Sequence, residues 1–179
     1  CQTQFQKDIY DSNLKSPEKT VSFSGNLWSE EHLKLLGQLE NVEKNSKCAI
    51  IDSDYPQKGV KESIQHCEKN NLEYEVIGDP EYSKFLELLS LYSTLVFHPS
   101  TPETCCRVIL EAKMMGLKTI TNKLIGASYE DWYNLNGIDL INKMKNKKKI
   151  KTKEPLYFVS YHIHTDRPEY QLHKPFSTR

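Results

Sequence analysis

Two glutamates near the middle of the chain have the residue type and spacing to bind the hydroxyl groups of a ligand. Glu103 and Glu111, with seven residues between them, lie in the stretch LVFHPSTPETCCRVILEAKMMGLKTIT (95–121). Each carboxylate oxygen accepts strong hydrogen bonds, so paired carboxylates suit a ligand with several hydroxyls. Because the chain has 24 acidic residues, the spacing alone carries little weight. The position of the two acids in the fold decides their value.

The stretch around these glutamates has the pattern of a strand, a short polar loop, an amphipathic helix and a second strand. In an open parallel α/β sheet, ligands bind at the carboxyl ends of the strands, beside the helix that follows. We therefore expect Glu103, in the loop, to lie on that rim. Glu111 stands among apolar helix residues, where a buried acid needs a partner. The expected partner is Lys113 or a backbone amide.

Strand-like and helix-like segments alternate along most of the chain. The predicted strands are 21–25, 48–52, 73–78, 93–100 and 118–121, and the predicted helices between them are 29–44, 58–71, 79–92 and 105–116. Ser29 is a predicted N-cap and Gly116 a predicted C-cap. The alternation predicts the α/β class, with a doubly wound, Rossmann-like parallel sheet of five strands and helices on both faces.

The domain organisation follows from changes in composition. Residues 21–142 are the predicted domain, preceded by a segment, 1–20, expected to be left from an inter-domain connection. A lysine-rich linker is predicted over 143–155, and residues 156–179 are expected to open another domain. Trp132 and Tyr133 are expected to close the core. Because the sequence begins at Cys1, we expect a fragment of a longer protein.

The composition argues against a general attraction to nucleic acid or to acidic membranes. Lys and Arg total 24 and balance 24 Asp and Glu, so affinity has to come from a local site. The five cysteines form no CxxC motif, which is typical of a reduced, cytosolic protein. No apolar run reaches the roughly 18 residues of a membrane span, and no signal peptide is visible. We expect a cytoplasmic protein, with peripheral attachment to a membrane left open.

Several segments together resemble a known enzyme family. The run from 21 to about 132 resembles the C-terminal, nucleotide-sugar-binding half of a GT-B glycosyltransferase of group 1, also called family 4. The resemblance is carried by SGN at 24–26, KGV at 58–60, LVFHPS at 95–100 and ETCCRVILEA at 103–112. It covers well over half of the chain. It implies transfer of a sugar, of the hexosyltransferase type, from a nucleotide-diphosphate sugar to a glycan, lipid or small-molecule acceptor, with retention, as in polysaccharide biosynthesis.

The resemblance also implies roles for individual residues. Glu103 would hold the hydroxyls of the donor sugar, Glu111 would bind the ribose diol, and Lys58 would bring positive charge to the leaving phosphate. Glu103 and Lys58 are therefore the candidate catalytic residues. Such charge stabilisation lets a GT-B enzyme act without a metal, so no metal or other cofactor is expected beyond a UDP- or GDP-sugar substrate.

The remaining substrate-binding candidates would contact the diphosphate. Backbone N–H groups of Thr104, Cys105 and Cys106 lie at a predicted helix N-terminus, which favours anions. Gly25 and Asn26 follow the first predicted strand. The family commonly has Phe-Gly where this chain has Cys105 and Cys106, and an arginine where it has Asn26. The acceptor-binding N-terminal domain that the resemblance implies as a partner is missing.

Other functions stay open. A catalytically inactive nucleotide-sugar-binding or interaction module of the same fold is the main alternative, favoured by those departures. A receiver-like signalling domain would need acids after its first strand and a lysine such as Lys123 after its last. Asp52-Ser53-Asp54 resembles the metal-binding DxD of GT-A enzymes, but acids that cap the next helix are the expected reading. His162, His164 and Asp166 are expected to be surface groups rather than metal ligands.

Overall fold

A computed structural model describes residues 1–13, 22 and 24–147 of the chain. They belong to one compact unit that spans Cys1–Lys148. The α-helices are α1 Gln4–Asn13, α2 Glu30–Leu39, α3 Val60–Lys69, α4 Tyr82–Ser90, α5 Arg107–Met114 and α6 Gly137–Lys147; the strands are β1 Asn45–Ile51, β2 Tyr74–Ile77, β3 Tyr92–Phe97 and β4 Lys118–Thr121; short 3-10 turns cover Pro56–Lys58 and Gly126–Tyr129.

The four strands form one all-parallel sheet in the order β2-β1-β3-β4. The α/β class and the helix-flanked parallel sheet are confirmed, but the predicted count of five strands is wrong for the described residues. The predicted strand at 21–25 does not form: Ser22, Ser24 and Gly25 lie outside any strand, and Val21 and Phe23 are outside the described residues. Ser24 has a φ of 56°, in the left-handed region, which no strand residue adopts.

Helices cover both faces of the sheet. Alternate residues of each strand point to opposite sides, so each strand contributes side chains to both faces. In β1, Ala49 packs into the larger core, which is built from α2, α4, α5 and α6. Its neighbours Cys48 and Ile50 pack with Val96 and with Cys67 of α3 in a smaller cluster. One face therefore carries four helices and the other carries α3.

The helix ends confirm two expectations from the sequence. The Ser29 side chain caps α2 by accepting a hydrogen bond from the backbone N–H of His32 at 3.1 Å. At the end of α5, Gly116 adopts a φ of 78° and donates its N–H to the carbonyl of Lys113. A left-handed glycine at this position ends a helix at little steric cost.

The ends of the predicted domain differ in detail from the observed elements. Helix α6 continues to Lys147 with Met144 buried, so the first residues of the predicted linker, 143–147, are helical. Residues 4–13 of the predicted N-terminal segment form α1. Trp132 is buried as expected, and its indole N–H donates to the Ser24 hydroxyl at 2.8 Å. The predictions for residues 148–179, among them the site around His162, lie outside the described residues.

Candidate functional site

The strand order places a topological switch point between β1 and β3, where open α/β sheets have their crevice. The connection from β1 through α3 runs to β2 at one edge of the sheet, whereas the connection from β3 through α5 runs to β4 at the other. From the two central strands the chain therefore continues toward opposite edges of the sheet. Ligands of open α/β sheets bind in the crevice outside the strand ends at such a switch point. The loop after β1 carries Lys58, and the loop after β3 carries Glu103.

Lys58 and Glu103 meet across this crevice. The Lys58 ammonium donates to Oε1 of Glu103 at 2.7 Å, and the two side chains are 40% and 22% exposed. These residues are 45 positions apart in the sequence, so the fold, and not local structure, joins them. The pair places one positive and one negative group at the same half-exposed spot, on the rim predicted for Glu103.

The two loops are held together by their backbones. Gly59 has a φ of 67°, and a Cβ atom at this position would overlap the carbonyl oxygen of His98. The Ser100 N–H donates to the carbonyl of Gln57 at 3.0 Å. The Ser63 hydroxyl links the same segments, since it donates to the Gly59 carbonyl at 2.8 Å and accepts from the His98 N–H at 3.0 Å. The close approach requires glycine at position 59.

A third loop fixes the backbone of Glu103. The Glu103 N–H donates to the carbonyl of Leu124 at 2.8 Å, and the Glu103 carbonyl accepts from the N–H of Gly126 at 2.7 Å. The side chain of Asn122 donates to the Pro99 carbonyl at 2.7 Å. Because the loop after β4 supports the loop after β3 in this way, the Glu103 carboxylate extends from a braced segment and not from a free loop.

Glu111, the second predicted acid, is fully buried on α5 and has three hydrogen-bond donors. His32 Nε2 lies 2.8 Å and Arg107 Nε 3.1 Å from its Oε1, while the Tyr82 hydroxyl donates to Oε2. Burial, followed by the negative charge of Glu111, raises the pKa of Tyr82 well above its ordinary value. The phenol therefore remains a donor at neutral pH.

Aromatic rings surround this carboxylate. The Arg107 guanidinium lies 4.4 Å from the centre of the Trp28 ring, and His32 stacks between Trp28 and Tyr82 with ring centroids 5.4 and 6.4 Å away. Trp28 is 2% exposed, and its indole N–H has no hydrogen-bond partner. The cluster keeps Glu111 in a fixed, low-dielectric setting in which hydrogen bonds to a carboxylate are strong.

The segment between the two acids is buried. Cys105 and Cys106 are 1% and 6% exposed, and burial raises the pKa of both thiols to about 12, so neither is a thiolate at neutral pH. Cys106 precedes α5 with a φ of 53°. The charge of Glu103 also raises the pKa of the Cys106 thiol, and that of Lys58 lowers it. In the sequence, Cys106 lies between Glu103 of the rim pair and the buried Glu111.

The other predicted phosphate contacts lie to one side. Gln2 joins them, because its side chain donates to Asn26 Oδ1 at 2.6 Å and accepts from the Thr104 hydroxyl at 2.6 Å. Gly25 is buried and donates its N–H to the Gln2 carbonyl at 2.6 Å. The structure therefore places Gly25 and Asn26 beside the loop that carries Thr104, whereas Lys58 pairs with Glu103. Their contact with a diphosphate stays a prediction.

No family model, curated protein or solved structure matches this chain. In the part of the chain that the structure describes, no cluster of three or more His, Cys, Asp and Glu side chains could hold a metal ion. Helices long and apolar enough to cross a membrane are also lacking among these residues.

Sequence reasoning missed the three residues that hold Glu111. The expected partner Lys113 instead lies 4.7 Å from the centre of the Tyr133 ring, and burial lowers its pKa. Arg107 could have been found, because residues four apart on a helix are neighbours. His32 and Tyr82 are 79 and 29 residues away from Glu111, and nothing in the local pattern indicates either contact.

Proposed function

We propose that this chain contains the donor-binding domain of a GT-B glycosyltransferase of group 1, which transfers a sugar from a nucleotide-diphosphate sugar to a glycan, lipid or small-molecule acceptor with retention. The observation that supports it is the Lys58–Glu103 pair at the switch point between β1 and β3. A cation and a carboxylate at this position match the two chemically distinct parts of such a donor. The diphosphate is anionic, and the sugar presents hydroxyls.

The pair offers a way to exchange partners on binding. When a diphosphate approaches, the Lys58 ammonium can turn from Glu103 to the phosphate oxygens, which releases the carboxylate to accept hydrogen bonds from sugar hydroxyls. Lys58 is then paired with the phosphate, and the Glu103 carboxylate is stabilised by hydrogen bonds from neutral hydroxyls, so neither charged group is left without a partner. In the transition state the leaving diphosphate gains negative charge, and a fixed cation beside it lowers the barrier. Glu103 and Lys58 therefore remain our candidate catalytic residues.

Glu111 is suited to bind a ribose diol as a pre-oriented acceptor. His32 and Arg107 both bond its Oε1, which fixes the direction of Oε2. Each carboxylate oxygen has two acceptor sites, and a vicinal diol supplies two donors. The N-terminus of α5 lies between Glu103 and Glu111, and its partial positive charge favours a diphosphate in that interval. This arrangement requires no metal.

Calorimetric titration of the full chain with UDP, GDP and their sugars tests the proposal. Lys58→Met should weaken binding of both nucleotides about 10-fold or more, because it removes a charge-assisted contact to phosphate. Glu103→Gln should weaken the nucleotide sugars more than the free nucleotides. Lys47→Met is the matched control, because Lys47 makes a similar 2.5 Å pair with Glu75 on β1 and β2, away from the crevice. Equal affinity in all four proteins, or no binding to wild type, contradicts the proposal.

The inactive nucleotide-sugar-binding or interaction module is the second candidate. It is favoured by the buried Cys105 and Cys106, which fill the space beside α5 with side chains where a glycine would leave room for a sugar. Turnover separates the two functions. A full-length protein that binds a nucleotide sugar, yet neither transfers nor hydrolyses it with any acceptor tested, would be the inactive module.

The receiver-like alternative gains one feature from the structure. The first described strand ends at Ile51, so Asp52 and Asp54 do follow the first strand, and Lys123 follows the last. The described residues nevertheless lack a cluster of acids that could hold a metal ion. The loop after β3 begins with His98, Pro99 and Ser100 and supplies no carboxylate before Glu103, which Lys58 engages. We therefore retain glycosyl transfer as the main proposal.

A further inference from the structure

The Tyr82 hydroxyl donates to Oε2 of Glu111, the carboxylate oxygen that His32 and Arg107 do not contact. Those two donors both reach Oε1, whereas the phenol reaches Oε2. Glu111 is fully buried, so a ligand cannot reach its carboxylate without a change in the side chains above it. Tyr82 is the most exposed hydrophobic side chain of the cluster, with 46% of its surface accessible.

The three donors to Glu111 are restrained in different ways, and the ring of Tyr82 stacks on His32 and Phe85. His32 lies between two rings, and its backbone N–H is held by the Ser29 cap. Arg107 shares a helix with Glu111 and lies on the Trp28 ring. Tyr82 and Arg107 are each the first residue of a helix whose N-cap residue makes no side-chain capping bond. Unlike Arg107, however, Tyr82 reaches Glu111 from a different helix, so it can move without moving the carboxylate. The first turn of a helix without such a cap opens at low cost.

We propose that the Tyr82 hydroxyl occupies, in the free protein, the place on Glu111 Oε2 that a ribose hydroxyl of the nucleotide takes, so that nucleotide binding displaces Tyr82. This inference rests on the proposed function, because it assigns the access route to the diol site of that function. It adds Tyr82 as a gate residue and His32 as a positioning residue that keeps Glu111 in place while the exchange occurs.

The exchange conserves hydrogen bonds. A phenol O–H leaves Oε2 and an alcohol O–H replaces it, so the buried carboxylate is never left without a donor in either end state. The released Tyr82 hydroxyl reaches water, because its ring is already half exposed. The gate therefore lowers affinity by the strength of one hydrogen bond and excludes ligands that have no hydroxyl to offer in return.

Tyr82→Phe tests the gate, because it removes the competing donor and keeps the ring. We expect this variant to bind UDP about 3- to 10-fold more tightly than wild type in calorimetry of the full chain, since one hydrogen bond to a charged acceptor no longer has to be broken. The gain should disappear with 2′,3′-dideoxy-UDP, which lacks the diol, and in a Glu111→Gln background. Tyr92→Phe is the matched control, because Tyr92 bonds the carboxylate of Glu75 elsewhere on the sheet.

The outcomes separate this inference from the proposed function. If wild type binds UDP and Tyr82→Phe binds it equally or more weakly, Tyr82 is structural and the gate is overturned. An equal gain for UDP and its dideoxy form also overturns it. If wild type binds no nucleotide, the proposed function itself fails. Should circular dichroism show that Tyr82→Phe does not fold, a crystal structure of wild type with UDP replaces it: the gate predicts a ribose hydroxyl on Glu111 Oε2, and a Tyr82 hydroxyl still bonded to that oxygen overturns it.

Discussion

Replacement of Glu111 by glutamine should separate its structural role from that of Glu103. The amide is close in shape to the carboxylate, but it carries no charge and has one acceptor oxygen in place of two. His32, Arg107 and Tyr82 all donate to Glu111, so at least one of these donors faces the new NH2 group. Glu111→Gln therefore weakens the cluster without opening a cavity.

The exposure of the three donors determines how much the free energy of unfolding falls in Glu111→Gln. Removing one partner of a buried ion pair costs about 3–5 kcal/mol when the other charge is left without water. Here the Arg107 side chain is 51% exposed and Tyr82 is 46% exposed, so both can bond water instead. His32, at 17%, has less access. We therefore expect Glu111→Gln to lower the free energy of unfolding by about 2–3 kcal/mol, at or below the lower end of that range. For a unit of this size, such a loss corresponds to a decrease in Tm of about 4–12 °C.

Urea unfolding followed by circular dichroism measures this loss, with Glu103→Gln as the control. The Lys58–Glu103 pair is 40% and 22% exposed, and half-exposed pairs contribute only about 0–1 kcal/mol. The two variants should thus differ by at least about 1 kcal/mol in the free energy of unfolding, although both weaken binding of a nucleotide sugar.

A small effect at Glu111 would refute the reasoning. If Glu111→Gln changes the free energy of unfolding by less than about 0.5 kcal/mol, the donors do not depend on its charge. A greater loss in Glu103→Gln than in Glu111→Gln would show that the rim pair, and not the buried cluster, stabilises the fold.

Two further changes test the loops of the crevice. Gly59→Ala should lower the free energy of unfolding in urea by at least about 2 kcal/mol and weaken UDP binding, because alanine disfavours this left-handed backbone and its Cβ would overlap the His98 carbonyl. The control Gly37→Ala, inside α2 with its nearest neighbour at 3.6 Å, should be neutral or stabilising by up to about 1 kcal/mol. Equal effects of the two substitutions would contradict the close approach at Gly59. Burial, and then the charge of His66, lowers the pKa of His98. The unfolded chain therefore takes up a proton first, so stability should fall as the pH drops below about 6.5, and His98→Gln should flatten that decline; an unchanged pH profile would rule out this coupling.

Much of the fold is predictable from local pattern. The strand predicted at 118–121 has the observed bounds, and helices at each predicted position form, because long amphipathic segments have a clear period. The segment 21–25 shows why the fifth strand was wrong. A short apolar run has the same pattern whether it enters a sheet or crosses the surface of a core. Ser24 bonds Glu130 and Trp132, contacts that only the folded chain provides.

The candidate site is also predictable only in part. Glu103 is predicted on the rim because it follows a predicted strand, whereas Lys58 is named only from the resemblance to glycosyltransferases. Their 2.7 Å contact, however, depends on the strand order, which a single sequence does not specify. The donors to Glu111 depend on how α2 and α4 pack beside α5. That packing is a property of the tertiary structure, and no local spacing encodes it.

The first residues of the chain help to hold the loop that carries Thr104. Gln2 bridges Asn26 and Thr104, the Thr3 hydroxyl donates to the Thr104 carbonyl at 2.7 Å, and the Gln4 N–H donates to Glu130 at 2.6 Å. A protein trimmed by four residues loses all of these bonds at once. Low activity in such a trimmed protein would then reflect a loosened loop before any defect of the chemistry, so versions for assay are best made with residues 1–4 in place.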